Sequence, residues 1–263
     1  MTQETIAFDE DHLLAMEQQR QSATGRAKFQ RQLALIQPQS GESLLDLGCG
    51  SGAHARLIAS RVAPGGRVVG IDREPEAIEL AKRLSEDGHT GTLTFQVADA
   101  HHLPFEDGTF DAAICISVLA FCEDPLQVLA ETRRVLRPGG RLLLANSDED
   151  TRIFNSHDRE LGRRVLRAIA DRAHDPWIGR RLAGLLTVAG FTIAREEVLA
   201  DVEREFAPGR SGYLLAHAFR AHLLGTGAVT PEQYERWLGD LQICRQEGSY
   251  CYSVTTFSYG GLR

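Results

Sequence analysis

The sequence predicts an α/β fold in which a mostly parallel sheet carries helices on both faces. Between Ser43 and Ala145, short runs rich in Val, Ile, Leu or Phe alternate with segments of helical periodicity. The first of these runs ends in a glycine-dense turn, Asp46-Leu47-Gly48-Cys49-Gly50-Ser51-Gly52, and a helical pattern starts at once. Glycines at alternate positions let the chain turn sharply and let backbone N–H groups come close to a ligand.

The apolar runs are Leu44–Leu47, Arg67–Asp72, Leu93–Val97, Ala112–Ile116 and Arg141–Ala145. Helices are expected from Ala53 to Val62, Pro75 to Ser85 and Pro125 to Leu136; in the last, Leu126, Leu129, Val135 and Leu136 share the apolar side. Pro75 marks a helix start, and Pro138-Gly139-Gly140 a stop. Before this core, Asp9 to about Leu35 reads as a polar helix. After it, helices are expected over 152–172, 176–189, 211–224 and 231–246, with strands at Phe191–Val198 and Tyr250–Tyr259. The organisation expected is a helical lid (1–35), a ligand-binding core (36–150), and a remainder (151–263). That remainder supplies two strands (191–198 and 250–259) and two helical cap insertions (151–175 and 208–246).

Composition narrows the function classes. A hydrophobic fraction of 43% with 25% charged residues is that of a folded chain. Net charge is −7, and the bases are nearly all Arg, Lys28 and Lys82 being the exceptions. Such a chain repels phosphate backbones, so no nucleic-acid partner is expected, and the Arg-rich stretch from Arg159 to Arg181 reads as a solvated helix face. The five cysteines are Cys49, Cys115, Cys122, Cys244 and Cys251. An odd count without Cys-x-x-Cys argues for reduced thiols in a cytoplasmic protein, with neither a disulfide framework nor a metal site. The polar start MTQETIAFDEDH is no signal peptide, and no run is long enough for stable membrane insertion.

The glycine turn points to a nucleotide-like ligand without deciding which. Gly48-x-Gly50-x-x-Ala53 fits a loose dinucleotide fingerprint, and Asp72, ending the second run, can accept ribose hydroxyls in either case. Asp99, ending the third run, suits an adenine amino donor, which a dinucleotide enzyme gives no reason to expect.

Four segments in this order, LLDLGCGSGAHA, VVGIDREPEAIELAKR, ADAHHLPFEDGTFDAAI and ETRRVLRPGGRLLL, resemble the class I S-adenosylmethionine-dependent methyltransferases. Within them the chain looks like the ubiquinone/menaquinone-pathway and small-molecule natural-product branch. The resemblance covers about residues 35–147. It implies a Rossmann-like doubly wound sheet of seven strands, mostly parallel, with an antiparallel last strand and helical cap insertions. It implies S-adenosyl-L-methionine as methyl donor, S-adenosyl-L-homocysteine as product, and a small-molecule acceptor methylated at O, N or C. Gly48, Cys49, Gly50 and Gly52 would form the donor loop. Asp46 would orient the methionine amino group, Asp72 the ribose, Arg73 would pack over the adenine, and Asp99 and Ala100 would read its edge. Ser117 would lie near the methionine end. Relatives often carry a His soon after the fourth strand; here Ser117-Val118-Leu119-Ala120-Phe121-Cys122 has none.

In-line transfer from a sulfonium draws its rate mostly from positioning, so a general base is optional. Acceptor-side candidates are His12 and Met16 on the first helix, Asn146, Asp148 and Asp150 after the fifth run, and His157, Trp177, Tyr213 and His217 as pocket walls. For acid–base work the choice falls on His12, Asp148 and His217. Other readings are a donor-binding protein without turnover, a nicotinamide oxidoreductase, a macromolecular methyltransferase, and an arsenite methyltransferase, the last lacking a local thiol cluster.

Overall fold

The computed structural model describes residues 10–85 and 92–263, the side chains of residues 10–12 excepted. Seven strands form one sheet: β1 (Ser43–Leu47), β2 (Arg67–Asp72), β3 (Leu93–Val97), β4 (Phe110–Ile116), β5 (Leu136–Phe154), β6 (Thr192–Glu203) and β7 (Tyr252–Leu262). Their order is β3-β2-β1-β4-β5-β7-β6, and β7 alone runs antiparallel to its neighbours β5 and β6. This is the Rossmann-like, doubly wound sheet expected. The order reverses between β1 and β4, which pair in parallel from Leu44↔Ala112 to Leu47↔Cys115. A ligand crevice belongs beyond the carboxyl ends of those two strands.

The helices are α1 (Glu10–Gln21), α2 (Ala23–Leu33), α3 (Ala53–Val62), α4 (Pro75–Arg83), α5 (Pro125–Val135), α6 (Arg159–Ala170), α7 (Ile178–Val188), α8 (Ser211–Ala218), α9 (Arg220–Gly225) and α10 (Pro231–Gln246). Strand alternation sorts the core onto two faces. Leu44, Val68, Ile114 and Leu143 pack with Phe29, Leu33 and Ile58 of α2 and α3. Leu45, Leu47, Ala113 and Leu142 face Leu129 and Val135 of α5 and Leu182 and Leu186 of α7. A third cluster lies under the cap, where Phe154, Val165, Ile169, Tyr234, Trp237, Leu241 and Tyr250 meet.

Several expected boundaries move. The single helix expected before the core is two, because the Ser22 hydroxyl caps α2 by accepting the Gly25 N–H at 3.0 Å. On α5, Leu126 is exposed, and the buried side is Val128, Leu129, Thr132 and Val135. The largest change is β5, which continues to Phe154 because β7 pairs with it as far as Phe154↔Tyr252. Asn146, Asp148 and Asp150 are therefore strand residues, not a loop. Arg152 lies in the same strand, and the helix expected from residue 152 begins at Arg159, where Asp158 caps it. β6 likewise runs past Val198 to Glu203, and the helix expected over 211–224 is divided at Phe219. Among the described residues no helix is long and apolar enough to cross a membrane.

Candidate functional site

Beyond the carboxyl ends of β1 and β4 lies a cavity of about 350 Å³, walled by the glycine turn, by α1 and by the cap. The turn has left-handed backbone at Gly48, Gly50 and Gly52, with φ of 62°, 54° and 77°. Two of them have no room for a side chain. A Cβ at Gly48 would fall 2.4 Å from Val118 Cγ2, and one at Gly52, the N-cap of α3, 2.6 Å from the Phe95 ring. At Gly50 a Cβ would meet only the Arg20 guanidinium, at 3.2 Å, so that glycine presents bare backbone to the cavity.

The carboxylates expected from the sequence stand around this turn. Asp72 accepts the Gly50 N–H at 2.9 Å through Oδ2 and the Glu74 N–H at 3.1 Å through Oδ1, and the Cys49 N–H donates to Ile71 O at 2.8 Å. The turn is thus laced to the end of β2. Asp46 is buried beneath it, and its Oδ2 has no hydrogen-bond partner among the described residues. Burial pushes the Asp46 pKa up to about 7; Arg20 opposes the shift, Asp72 adds to it, and a backbone hydrogen bond from Ala55 opposes it. Asp99 accepts both the Asp99-proximal His101 N–H at 2.9 Å and His101 Nδ1 at 2.8 Å through Oδ1. Some burial acts against it, but these bonds hold its pKa below the usual range.

Gly48, Gly50, Asp72, Arg73, Asp99, Ala100 and Ser117 all line the cavity. Asp46, Cys49 and Gly52 lie just behind that wall. The Cys49 thiol is buried against the sheet, and burial raises its pKa well above the ordinary value. Arg73 also pairs with Glu74 at 3.1 Å. Ser117 has left-handed backbone, φ 60°, and donates its N–H to Ala145 O at 2.8 Å.

The acceptor-side expectations fare differently. The His12 side chain lies outside the described residues. Asp148 is fully buried, is bound by Arg180 of α7 through both carboxylate oxygens, and does not line the cavity. His217 lies off the cavity too. It packs against Tyr213, ring centroids 4.3 Å apart, and Phe206; burial lowers its pKa. Asp150 accepts the indole N–H of half-exposed Trp177, and exposed His157 pairs with Asp240 and Glu247. Met16 and Asn146 do line the cavity, and the buried Asn146 Oδ1 has no partner among the described residues.

Several lining residues escaped the sequence reading. From α1, Arg20 brings its guanidinium among Asp46, Glu17, Cys49 and Asp72; desolvation lowers its pKa against the pull of those acids. Beside it, His54 stacks on Phe29 with centroids 4.0 Å apart. Burial, then Arg20 and Lys28, keep that imidazole's pKa well below its ordinary value. On the cap side, the Arg152 guanidinium holds Glu149 Oε2 at 2.6 and 3.0 Å and donates to the Tyr252 hydroxyl. Burial pushes the Tyr252 phenol up to about 12 despite Arg152. Lys28 bridges Asp201 at 2.5 Å and Thr256 at 2.8 Å. Ile169, Leu214, Leu215, Ala218 and Phe219 give this end an apolar roof. No periodicity marks Arg20 among the polar residues of α1, and Arg152 was hidden by the misplaced helix start.

Residues 45–144 match the model of the methyltransferase domain family. An uncharacterized 37.1 kDa protein in transposon Tn4556 of Streptomyces fradiae is 35% identical over 226 residues, 86% of this chain and 64% of its own length. The demethylmenaquinone methyltransferase of Lactococcus lactis is 33% identical over 147 residues, 56% of this chain and 57% of its own. The chain thus spans less than two thirds of either curated relative. Among solved structures, a Haemonchus contortus phosphoethanolamine N-methyltransferase 2, in complex with phosphomonomethylethanolamine and S-adenosylhomocysteine, superposes with a TM-score of 0.60. It is 17% identical and covers 97% of this chain and 57% of its own, a likeness of fold.

Proposed function

We propose that this chain, whose core is a class I S-adenosylmethionine-dependent methyltransferase domain, moves a methyl group from S-adenosylmethionine to O, N or C of a small molecule held under the cap. The observation that carries the reading is the cradle at Gly48–Gly52. The bare backbone at Gly50 and the Asp72 carboxylate line one cavity edge, and the unpartnered Asp46 oxygen lies behind it.

The residues suit the donor group by group. Asp46 has a buried oxygen short of a donor, which an ammonium group would supply. Arg20 offers a guanidinium to a carboxylate, aided by the partial positive charge at the start of α3. Each Asp72 oxygen accepts one backbone N–H and keeps capacity for a ribose hydroxyl. Asp99, its Oδ1 engaged by His101, has Oδ2 for an adenine amino group, with Ala98 and Ala100 as apolar walls. The bound donor supplies an electrophilic methyl on a sulfonium.

The cap supports a small acceptor. Phe219, Leu214, Leu215 and Ile169 enclose the far end of the cavity and exclude water, while Asn146, Glu149, Arg152 and Tyr252 give it fixed polar points. With Asp148 and His217 off the cavity and burial making the His54 imidazole a weak base, alignment of acceptor and methyl is the main source of rate in this reading. An amine or a phenolate acceptor suits such a site better than an alcohol.

The test is transfer of isotope-labelled methyl from S-adenosylmethionine to a panel of phenols, amines and enolisable carbon acids. Label in at least one product, suppressed by S-adenosylhomocysteine, is expected. Tight donor binding with no transfer to any acceptor would make the chain a donor-binding protein without turnover.

A further inference from the structure

We propose that the outer side of the cap holds a zinc-type divalent cation between His157, Asp240 and Cys244. These residues lie 83 and 87 positions apart in sequence from His157 and none lines the cavity. Asp240 and Cys244 stand one turn apart on α10, so both face the connection between β5 and α6 that carries His157. One ligand atom from each of the three lies within 4.8 Å of the others.

The surroundings orient each ligand. Asp240 Oδ2 accepts the Ser156 hydroxyl at 2.6 Å and the His157 N–H at 2.8 Å, which leaves Oδ1 turned to the common point. There it sits 2.6 Å from His157 Nδ1. Cys244 Sγ is 3.6 Å from the same nitrogen. Zinc bonds of about 2.0–2.1 Å to nitrogen and about 2.3 Å to sulfur, at a tetrahedral angle, place those atoms roughly 3.5 Å apart. Nitrogen and oxygen on one such ion stand roughly 3.3 Å apart, so the His157–Asp240 pair must open by about 0.7 Å to admit it. His157 Nε2 stands 3.0 Å from Glu247 Oε2, the carboxylate–histidine–metal relay that fixes a ligating imidazole.

A nucleophilic role for the same thiol does not fit. Cys244 is fully buried and does not line the cavity described above. An ion needs only the half-exposed His157 side for entry, and water would complete four-coordination there. Imidazole, carboxylate and thiolate together favour zinc or cobalt over magnesium or calcium. The bound ion would pin the entry to α6 against α10, and so hold the helix that carries Trp237 in the cap core. The absence of Cys-x-x-Cys hid this set, because its ligands come from two distant segments and only one is a cysteine.

The full chain, stripped with a chelator, would be titrated with Co²⁺ and then Zn²⁺. Expected are one ion per chain, a thiolate-to-cobalt absorption band bleached by Zn²⁺, and a rise in thermal midpoint. Cys244→Ser should abolish the band, His157→Ala weaken binding by about tenfold or more, and Cys251→Ser change neither. His157→Ala removes a half-exposed side chain and decides the matter if Cys244→Ser does not fold. No stoichiometric binding at micromolar ion, binding without the thiolate band, or a band and affinity unchanged in His157→Ala would each overturn the proposal.

Discussion

The Glu17 carboxylate on α1 accepts the hydroxyl of Ser51, inside the glycine turn, at 2.5 Å. Its other oxygen pairs with Arg56 of α3. The lid helix is therefore fastened to the element proposed to hold the donor, and Arg20, one turn further on, enters the cavity from the same helix. Glu17→Ala should free α1. Losing charge-assisted bonds of about 1.5–3 kcal/mol should raise amide hydrogen exchange in α1 by roughly tenfold or more, with S-adenosylhomocysteine restoring part of the protection. Unchanged exchange would mean that apolar contacts alone hold the lid.

Asp46 gives the site a pH dependence. Its pKa stands near 7 in the folded chain because burial raises it from an ordinary value of 3.8. The folded state then binds more protons than the unfolded state between those values, so folding stability should fall as pH rises from about 4 to about 7. Asp46→Asn should flatten that slope in urea denaturation at pH 5 and pH 8. Donor affinity should behave oppositely: it should weaken as pH falls through 7, where Asp46 takes up its proton, and Asp46→Asn should be weak at every pH. A wild-type slope retained in Asp46→Asn would assign the titration elsewhere.

The glycine turn separates steric from binding effects. Gly48→Ala meets Val118 as well as an unfavourable left-handed backbone, whereas Gly50→Ala meets only Arg20. The left-handed conformation costs roughly 1–2 kcal/mol in each. Gly48→Ala should lower stability by more than that, and Val118→Ala should partly rescue it. Gly50→Ala should fold with a small loss yet bind S-adenosylhomocysteine less tightly. Equal stability of the two variants in denaturant melts would contradict the packing described.

Asp148 tests the reassignment of a residue that the sequence places at the functional edge. Asp148→Asn should cost about 1–3 kcal/mol of stability by weakening its bonds to Arg180, and leave S-adenosylhomocysteine affinity unchanged. A large loss of donor affinity at unchanged stability would return Asp148 to the site.

The cavity edge proposed to hold the donor was legible because its determinants are local. A strand, a glycine turn and a helix follow one another within Leu44–Val62, and Asp72 and Asp99 close the next two strands. What escaped depends on partners distant in sequence. β5 extends to Phe154 because β7, a hundred residues on, pairs with it, and that pairing makes Arg152 a strand residue beside Tyr252. Nothing in the sequence distinguishes Arg20 of α1 from Arg26 of α2 until the fold brings Asp46 beside Arg20. Leu126 reads as core by periodicity, yet α5 leaves it exposed and buries Val128 and Thr132 instead.

Calorimetric titration of the purified chain with S-adenosylhomocysteine and with NAD, repeated on Asp72→Ala, tests the donor assignment most directly. Expected are one S-adenosylhomocysteine per chain, no heat with NAD, and a loss of about 1.5–3 kcal/mol in Asp72→Ala, roughly ten- to 150-fold in Kd. Binding of NAD in place of S-adenosylhomocysteine, or an affinity that ignores the loss of the Asp72 carboxylate, would contradict that assignment.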